Sequence, residues 1–139
     1  MREDLNNRVV GRGWTQPGGS PHAETEALAR AGDLARGATA YVTLEPCSHI
    51  GQTGPCADAL IEAGISRTVV AAIDPDPRVS GRGIARLREA GIATEVGPLG
   101  PEAKALNSGF WRRQQNARPM VTLKIATTAD GFVASRKGS

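Results

Sequence analysis

The stretch TAYVTLEPCSHIGQTGPCADALIEAGISRTVVAAI, residues 39–73, decides the fold. Its opening, Thr39 to Leu44, is β-branched or apolar, as a strand requires. Cys56 to Ala63 then carries apolar residues at helical spacing and halts at Gly64, and Arg67 to Ile73 is strand-like again. Strand, helix and strand in that order make a β-α-β unit, the repeat from which parallel sheets are built. Val69 to Ile73 is continuously apolar, which predicts burial from both faces of the sheet.

The alternation continues on both sides. Upstream, Arg8 to Gly13 (RVVGRG) reads as a short strand, Pro17-Gly18-Gly19-Ser20 as a loop, and His22 to Ala31 as a helix behind Pro21. Downstream, Gly83 to Ala90 sets Ile84, Leu87 and Ala90 on one helical face before Gly91, and Ile92 to Val96 follows as a strand. Four strands and three helices by Pro98 predict an α/β layer fold. Thr39–Leu44 and Arg67–Ile73 are its expected central strands, and the helices starting at His22 and Cys56 are expected side by side on one face. Pro101 to Arg118 begins as a helix and becomes polar and basic, as a linker does. Met120 to Thr127 reads as one more strand, with no helix after it.

Bulk composition narrows the function classes. A chain of 139 residues supports one core, and 40% hydrophobic with 22% charged residues fits a globular protein. No apolar run approaches the roughly 20 residues a membrane span needs, and the charged start Met1-Arg2-Glu3-Asp4 resembles no secretory signal. The expectation is a cytoplasmic protein with no membrane role, acting as a homo-oligomer. The net charge of +3 is spread among acids and aromatics are only 4%, so no nucleic-acid partner is expected.

Chemistry concentrates in His22-Ala23-Glu24 and in Glu45 to Cys56. Catalytic zinc takes three protein ligands of N or S type and leaves a fourth position for water, whose pKa falls towards about 7. His22, Cys47 and Cys56 meet that count. Pro21, Pro46 and Pro55 precede the three ligands, so each is expected at a helix start, where N–H groups and the dipole favour thiolate. Glu24, two residues from His22, is expected on a different side of the helix, free to move protons. A lone His-x-Glu at a helix start often merely complements the dipole, and free cysteines are commonly core residues. Together they match the zinc deaminase signature H-x-E…P-C-x-x-C in all but the last spacing, because eight residues here separate the cysteines.

That longer loop, PCSHIGQTGPC, resembles the bacterial bifunctional riboflavin-biosynthesis deaminase/reductase family. Asp74 to Gly83 (DPDPRVSGRG) is similar to that family's DPNP-x-V-x-G-x-G loop, and Pro119 to Gly131 is similar to the opening strand of its reductase domain. The resemblance implies a cytidine deaminase-like three-layer α/β/α sandwich lacking its first helix and strand. Residues 1–100 would be the zinc deaminase domain, 101–118 a linker, and 119–139 the first strand of a truncated reductase domain. It implies hydrolytic deamination of 2,5-diamino-6-ribosylamino-4(3H)-pyrimidinone 5′-phosphate, a phosphorylated pyrimidine, with Glu24 as proton carrier. It also makes His49, Thr53, Asp74 and Asp76 substrate contacts.

Lys124, Ala126 and Asp130 match the reductase motif, so Ala126 is the expected cofactor contact, with NADP held only by a longer parent that has a complete reductase domain. Three positions depart from the pattern: Asp76 replaces the usual Asn, Gln52 a Lys, and Thr15 a His. Arg78 and Arg82 are the candidates to replace the lost cationic help for a phosphate. The competing expectations are a nucleoside or nucleobase deaminase of the same fold, and an inactive zinc-stabilised fragment in which His49 closes the metal site.

Overall fold

The computed structural model describes residues 2–3, 8–49 and 54–133. In chain order the elements are β1 (Arg2–Glu3), β2 (Val9–Gly11), α1 (Ala23–Ala31), a 3₁₀ turn at Gly32–Ala35 and β3 (Thr39–Val42). They continue as α2 (Cys56–Glu62), β4 (Arg67–Val70), α3 (Arg82–Glu89), β5 (Ala93–Val96), α4 (Gly100–Leu106) and α5 (Ser108–Asn116). One sheet runs β2-β1-β3-β4-β5. β3, β4 and β5 are parallel, while β1 is antiparallel to both its neighbours. β1 is a two-residue strand that the pattern of alternation did not reveal, being too short to show a period.

Ala40 stands level with Thr68 and Val42 with Val70, so these four share one face of the sheet. Beneath that face the core gathers Ala40, Ala57, Leu60, Ile65, Leu87 and Ile92. Leu60 and Leu87 are essentially solvent-free, and each such burial stabilises by about 1.5–3 kcal/mol. α2 packs between α1 and α3, so the helices that begin near His22 and at Cys56 do lie side by side. Right-handed crossovers place the helices of consecutive parallel strands on one face. The opposite face carries the exposed Arg67–Glu95 ion pair at 2.6 Å.

Three expectations need correction. Val69 and Val70 are buried, but Ile73 is 47% exposed, because β4 ends at Val70 and the chain then leaves the sheet. Residues 108–116, read as linker, form α5, whose Phe110 and Trp111 rings meet edge to face with centroids 5.9 Å apart. Met120 to Thr127 forms no strand among the described residues. Val121 and Leu123 are 83% and 79% exposed, and a segment with no neighbouring strand has nothing to receive its ladder of hydrogen bonds.

The seat of α1 depends on two glycines in β2 and the residues just after it. A Cβ on Gly13 would stand 2.0 Å from the Ala23 carbonyl oxygen, and one on Gly11 would stand 2.3 Å from that of Ala27. Bare backbone at both positions lets the helix lie in contact with the strand. Gly13→Ala should therefore destabilise by about 2 kcal/mol, within the usual cost of overpacking. Gly54→Ala, with no atom of the described residues within 4 Å of the new methyl, should change stability by less than about 0.5 kcal/mol. Denaturant unfolding of the two variants beside the parent measures the difference, and equal midpoints would refute the tight seat.

Candidate metal and proton-transfer site

His22 occupies the N-cap of α1 with extended backbone, φ −73° and ψ 162°, which turns its ring away from the helix axis and towards α2. Its Nδ1 lies 3.3 Å from Cys56 Sγ and 3.6 Å from Cys47 Sγ. All three donor atoms fall within 4.8 Å of one another, and among the described residues they form the one group of three or more ligand-type side chains so placed. A tetrahedral ion with bonds of about 2.1–2.3 Å sets its ligand atoms roughly 3.4–3.8 Å apart. One imidazole nitrogen and two sulfurs at these separations fit zinc in both donor type and spacing.

The two sulfurs arrive differently. Cys56 is the first residue of α2, behind Pro55, as expected. Cys47 is not at a helix start; it lies in the irregular segment that follows β3. It gains the same electrostatic help indirectly, because the Cys56 N–H at the start of α2 donates to Cys47 Sγ at 3.3 Å. Hydrogen bonding from Cys56 holds the Cys47 thiol well below its usual range, and the same bond pushes Cys56 up.

Glu24 also converges on this cluster. Burial pushes its carboxyl above the ordinary carboxylate range, and a hydrogen bond with Cys56 offsets part of that rise. The helical offset that predicted divergence from His22 does not apply, because His22 is a cap with extended backbone and not a helical residue. Glu24 lines a cavity of about 110 Å³ together with Gly13, Ala40, Tyr41, Thr43 and Leu60. A carboxyl raised by burial beside a metal-type donor set is the usual arrangement for moving protons near neutral pH.

The second cluster is the loop after β4. Asp74, 8% exposed, accepts the Asp76 N–H on Oδ1 at 2.8 Å. Asp76 accepts the Arg78 N–H at 2.9 Å, and its Oδ2 meets Arg78 Nη2 at 2.5 Å. The Arg78 guanidinium holds the Asp76 carboxyl down at about 2. Asp74 moves the other way, raised by burial. Asp74 also lines a cleft of about 760 Å³ at the carboxyl ends of β4 and β5, with Ser80, Lys104, Trp111 and Gln115. His49 is exposed, and it is absent from the three-residue donor group. Arg82 is exposed, and its Nη1 donates to the Arg78 carbonyl at 3.4 Å. Thr53 and Gln52 lie outside the described residues, and Ala126 and Lys124 sit on the exposed, unpaired run after α5.

One residue with a large part in the site gave little signal in the sequence. Glu45 is 3% exposed, and its carboxylate accepts N–H groups from Asp74, Gly81, Gly83 and Ile84. Its partners are backbone amides some 29–39 residues away, so no side-chain pattern announces them. The visible hint was an acid ending an apolar strand directly before Pro-Cys.

Comparison with known proteins agrees with this geometry. Residues 3–72 match the family described as the cytidine and deoxycytidylate deaminase zinc-binding region. The chain is 51% identical over 132 residues to riboflavin biosynthesis protein RibD of Aquifex aeolicus, covering 95% of this chain and 37% of that protein. It is 50% identical over 114 residues to the diaminohydroxyphosphoribosylamino-pyrimidine deaminase of Buchnera aphidicola subsp. Acyrthosiphon pisum, covering 82% of this chain and 78% of that one. Among solved structures, the diaminohydroxyphosphoribosylaminopyrimidine deaminase/5-amino-6-(5-phosphoribosylamino)uracil reductase of Thermotoga maritima superposes with a TM-score of 0.85 at 40% identity. That match covers 97% of this chain and 39% of the other, so the chain spans little more than a third of its two-part relatives. Family match, identity and α/β fold lead to one conclusion: the chain belongs to the zinc-binding cytidine and deoxycytidylate deaminase family, among the diaminohydroxyphosphoribosylamino-pyrimidine deaminases.

Proposed function

We propose that this chain carries the zinc deaminase activity for which its Buchnera relative is named, removing the ring amino group of 2,5-diamino-6-ribosylamino-4(3H)-pyrimidinone 5′-phosphate by hydrolysis. The observation that carries the proposal is the meeting of His22 Nδ1 with both sulfurs at 3.3 and 3.6 Å, with the buried Glu24 carboxyl beside Cys56. His22, Cys47 and Cys56 hold the metal. Bound there, zinc supplies Lewis acidity and brings the pKa of a coordinated water towards about 7. Three protein ligands with His49 outside the group favour a catalytic site over a closed structural one.

Glu24 then does the proton work. Its carboxylate takes a proton from the attacking water and delivers it to the ring nitrogen next to the amino-bearing carbon. A second transfer, from the added hydroxyl to the departing amine, releases ammonia and leaves the uracil carbonyl, with Glu24 returned to its starting state. Its elevated pKa suits this shuttle, since a carboxylate of ordinary basicity would take the proton from water reluctantly.

Asp74, Asp76 and His49, gathered on the loop after β4 and the segment after Cys47, are proposed to receive the substrate, and Thr53 is assigned with them from its place in the cysteine loop. Arg78 is already paired with Asp76, so phosphate attraction falls more to Arg82. We further propose that residues 1–100 are the deaminase domain and 101–118 its connector, largely helical through α4 and α5. Residues 119–139 would open a reductase domain, and NADP contact through Ala126 would arise only in a longer parent containing that domain whole.

The purified chain, expressed with ample zinc, should contain one equivalent by elemental analysis, and Cys47→Ser with Cys56→Ser should contain almost none. Undiminished zinc in the double variant would sink the ligand assignment.

Glu24→Gln keeps size and hydrogen bonding but removes the base. Ammonia release from the ribotide should fall by about 10²–10⁴-fold with zinc content unchanged. Near-full turnover in that variant would place the proton transfer elsewhere, and equal turnover of cytidine by the parent would move the substrate to the nucleosides.

A further inference from the structure

The Glu45 carboxylate lies buried between the two halves of the site. Oε2 accepts the N–H of Asp74 at 3.2 Å and of Gly81 at 2.8 Å, and Oε1 accepts those of Gly83 at 2.9 Å and Ile84 at 3.3 Å. A buried carboxylate is costly unless hydrogen bonds replace its water, and here four N–H groups and the positive end of α3 do so. The backbone is shaped to allow this. Gly81 holds φ at 88°, and a Cβ on Gly83 would stand 1.9 Å from the Pro46 carbonyl oxygen, so the start of α3 rests directly on the Glu45-Pro46 peptide.

Segment 45–47 is also fastened on its other sides. The Glu45 N–H donates to Ala72 O at 2.9 Å, tying it to the end of β4, and Ala57 N–H donates to Cys47 O at 3.1 Å, tying it to α2. One side chain therefore joins the segment that carries Cys47 to the loop that carries Asp74, Asp76 and Arg78.

We infer that Glu45 is a positioning residue, fixing the Cys47 ligand and the Asp74–Arg78 loop relative to each other; its effect on substrate capture rests on the deaminase reading given above. Among the described residues its carboxylate partners are backbone N–H groups, none of them on a metal-donor residue. The device works through geometry: all four amides must point at both oxygens for the two halves to hold their spacing.

Glu45→Gln tests this with minimal change of volume, since one oxygen becomes an NH₂ group facing two N–H donors. Glu45→Asp retains the charge but shortens its reach, and it serves as the second variant if the first does not fold. Ile92→Ala, in the core below the sheet, is the control for a purely structural loss. Zinc affinity is read by chelator competition, and amide hydrogen exchange is followed at Asp74, Gly81, Gly83 and Ile84. KM and kcat are measured with the ribotide.

Both Glu45 variants should still bind one zinc, but about tenfold or more weakly, as residues behind metal ligands typically cost 10–100-fold. The four amides should exchange faster than the same amides in the parent while the sheet amides are unchanged, and KM should rise about tenfold with kcat changed less than about threefold. Ile92→Ala should lower the melting temperature and move none of these. Unchanged zinc affinity and exchange in a folded Glu45 variant would overturn the inference, as would equal changes in Ile92→Ala. A parent that deaminates no ribotide, with zinc affinity still lost in the Glu45 variants, would remove the substrate reading and leave the positioning role intact.

Discussion

Two anions sit side by side on the segment after β3, and backbone N–H groups at two helix starts hold both. The Cys47 thiolate accepts the N–H of Cys56, which opens α2, and the Glu45 carboxylate accepts those of Gly83 and Ile84 at the start of α3. Thiolate and carboxylate are each expensive to bury, and helix N-termini offer unpaired donors together with favourable dipole potential. The parallel sheet makes this possible. Because β3, β4 and β5 run the same way, their ends and the helix starts that follow gather at one edge, where the chain leaves the sheet. Residues 43–49 thus pass both α2 and α3, and the Glu45 and Cys47 side chains reach the two starts.

Against this, α1 delivers the remaining pieces from a different direction. Gly11 and Gly13 let it lie in contact with the β2 segment, which brings the His22 cap and Glu24 over the cysteines. A helix held even a methyl group farther out would leave His22 Nδ1 beyond the spacing that one ion can bridge. The site is therefore assembled from two kinds of precision. Backbone donors place the sulfurs, and bare backbone contact places the imidazole and the carboxyl.

Much of this was legible from residues 22–96 before any coordinates, because each element there satisfies its own local rules. Gly64 and Gly91 stop helices, apolar runs mark β3 and β4, and Ile84 and Leu87 mark the inner face of α3. The donor set was legible as well, since His, Glu and two Cys at these spacings have few other uses in combination. What escaped was tertiary. Cys47 sits off a helix yet is served by one, a relation between strands and helices that Pro46 could not disclose. Glu45 takes backbone partners that carry no side-chain signature. The polar, basic tract 108–116 folds as a helix because Arg, Gln and Trp tolerate helical geometry well and its two aromatics pack together, whereas composition alone reads it as a linker. Met120 to Thr127 has the strand pattern but finds no strand to pair with among the described residues, and pattern cannot supply a neighbour.

The carboxyls of Glu24, Asp74 and Asp76 differ through their environments. Asp76 is held down to about 2 by Arg78, well below the ordinary carboxylate range. Its folded pKa lies below the usual unfolded value of about 3.9, so whatever it contributes to stability is present above about pH 4 and lost only as pH falls through about 2. That carboxylate is a fixed anchor for the loop and has little freedom to exchange protons. Asp74 is raised by burial and lines the cleft, but its Oδ1 accepts the Asp76 N–H, which makes it a structural acceptor of the loop. Glu24 is raised by burial without such a commitment to a loop, and it stands beside the thiol of Cys56. Of the three, only Glu24 combines an elevated pKa with direct contact to the metal-type donors. On the deaminase reading proposed above, that combination is what assigns the proton transfer to Glu24.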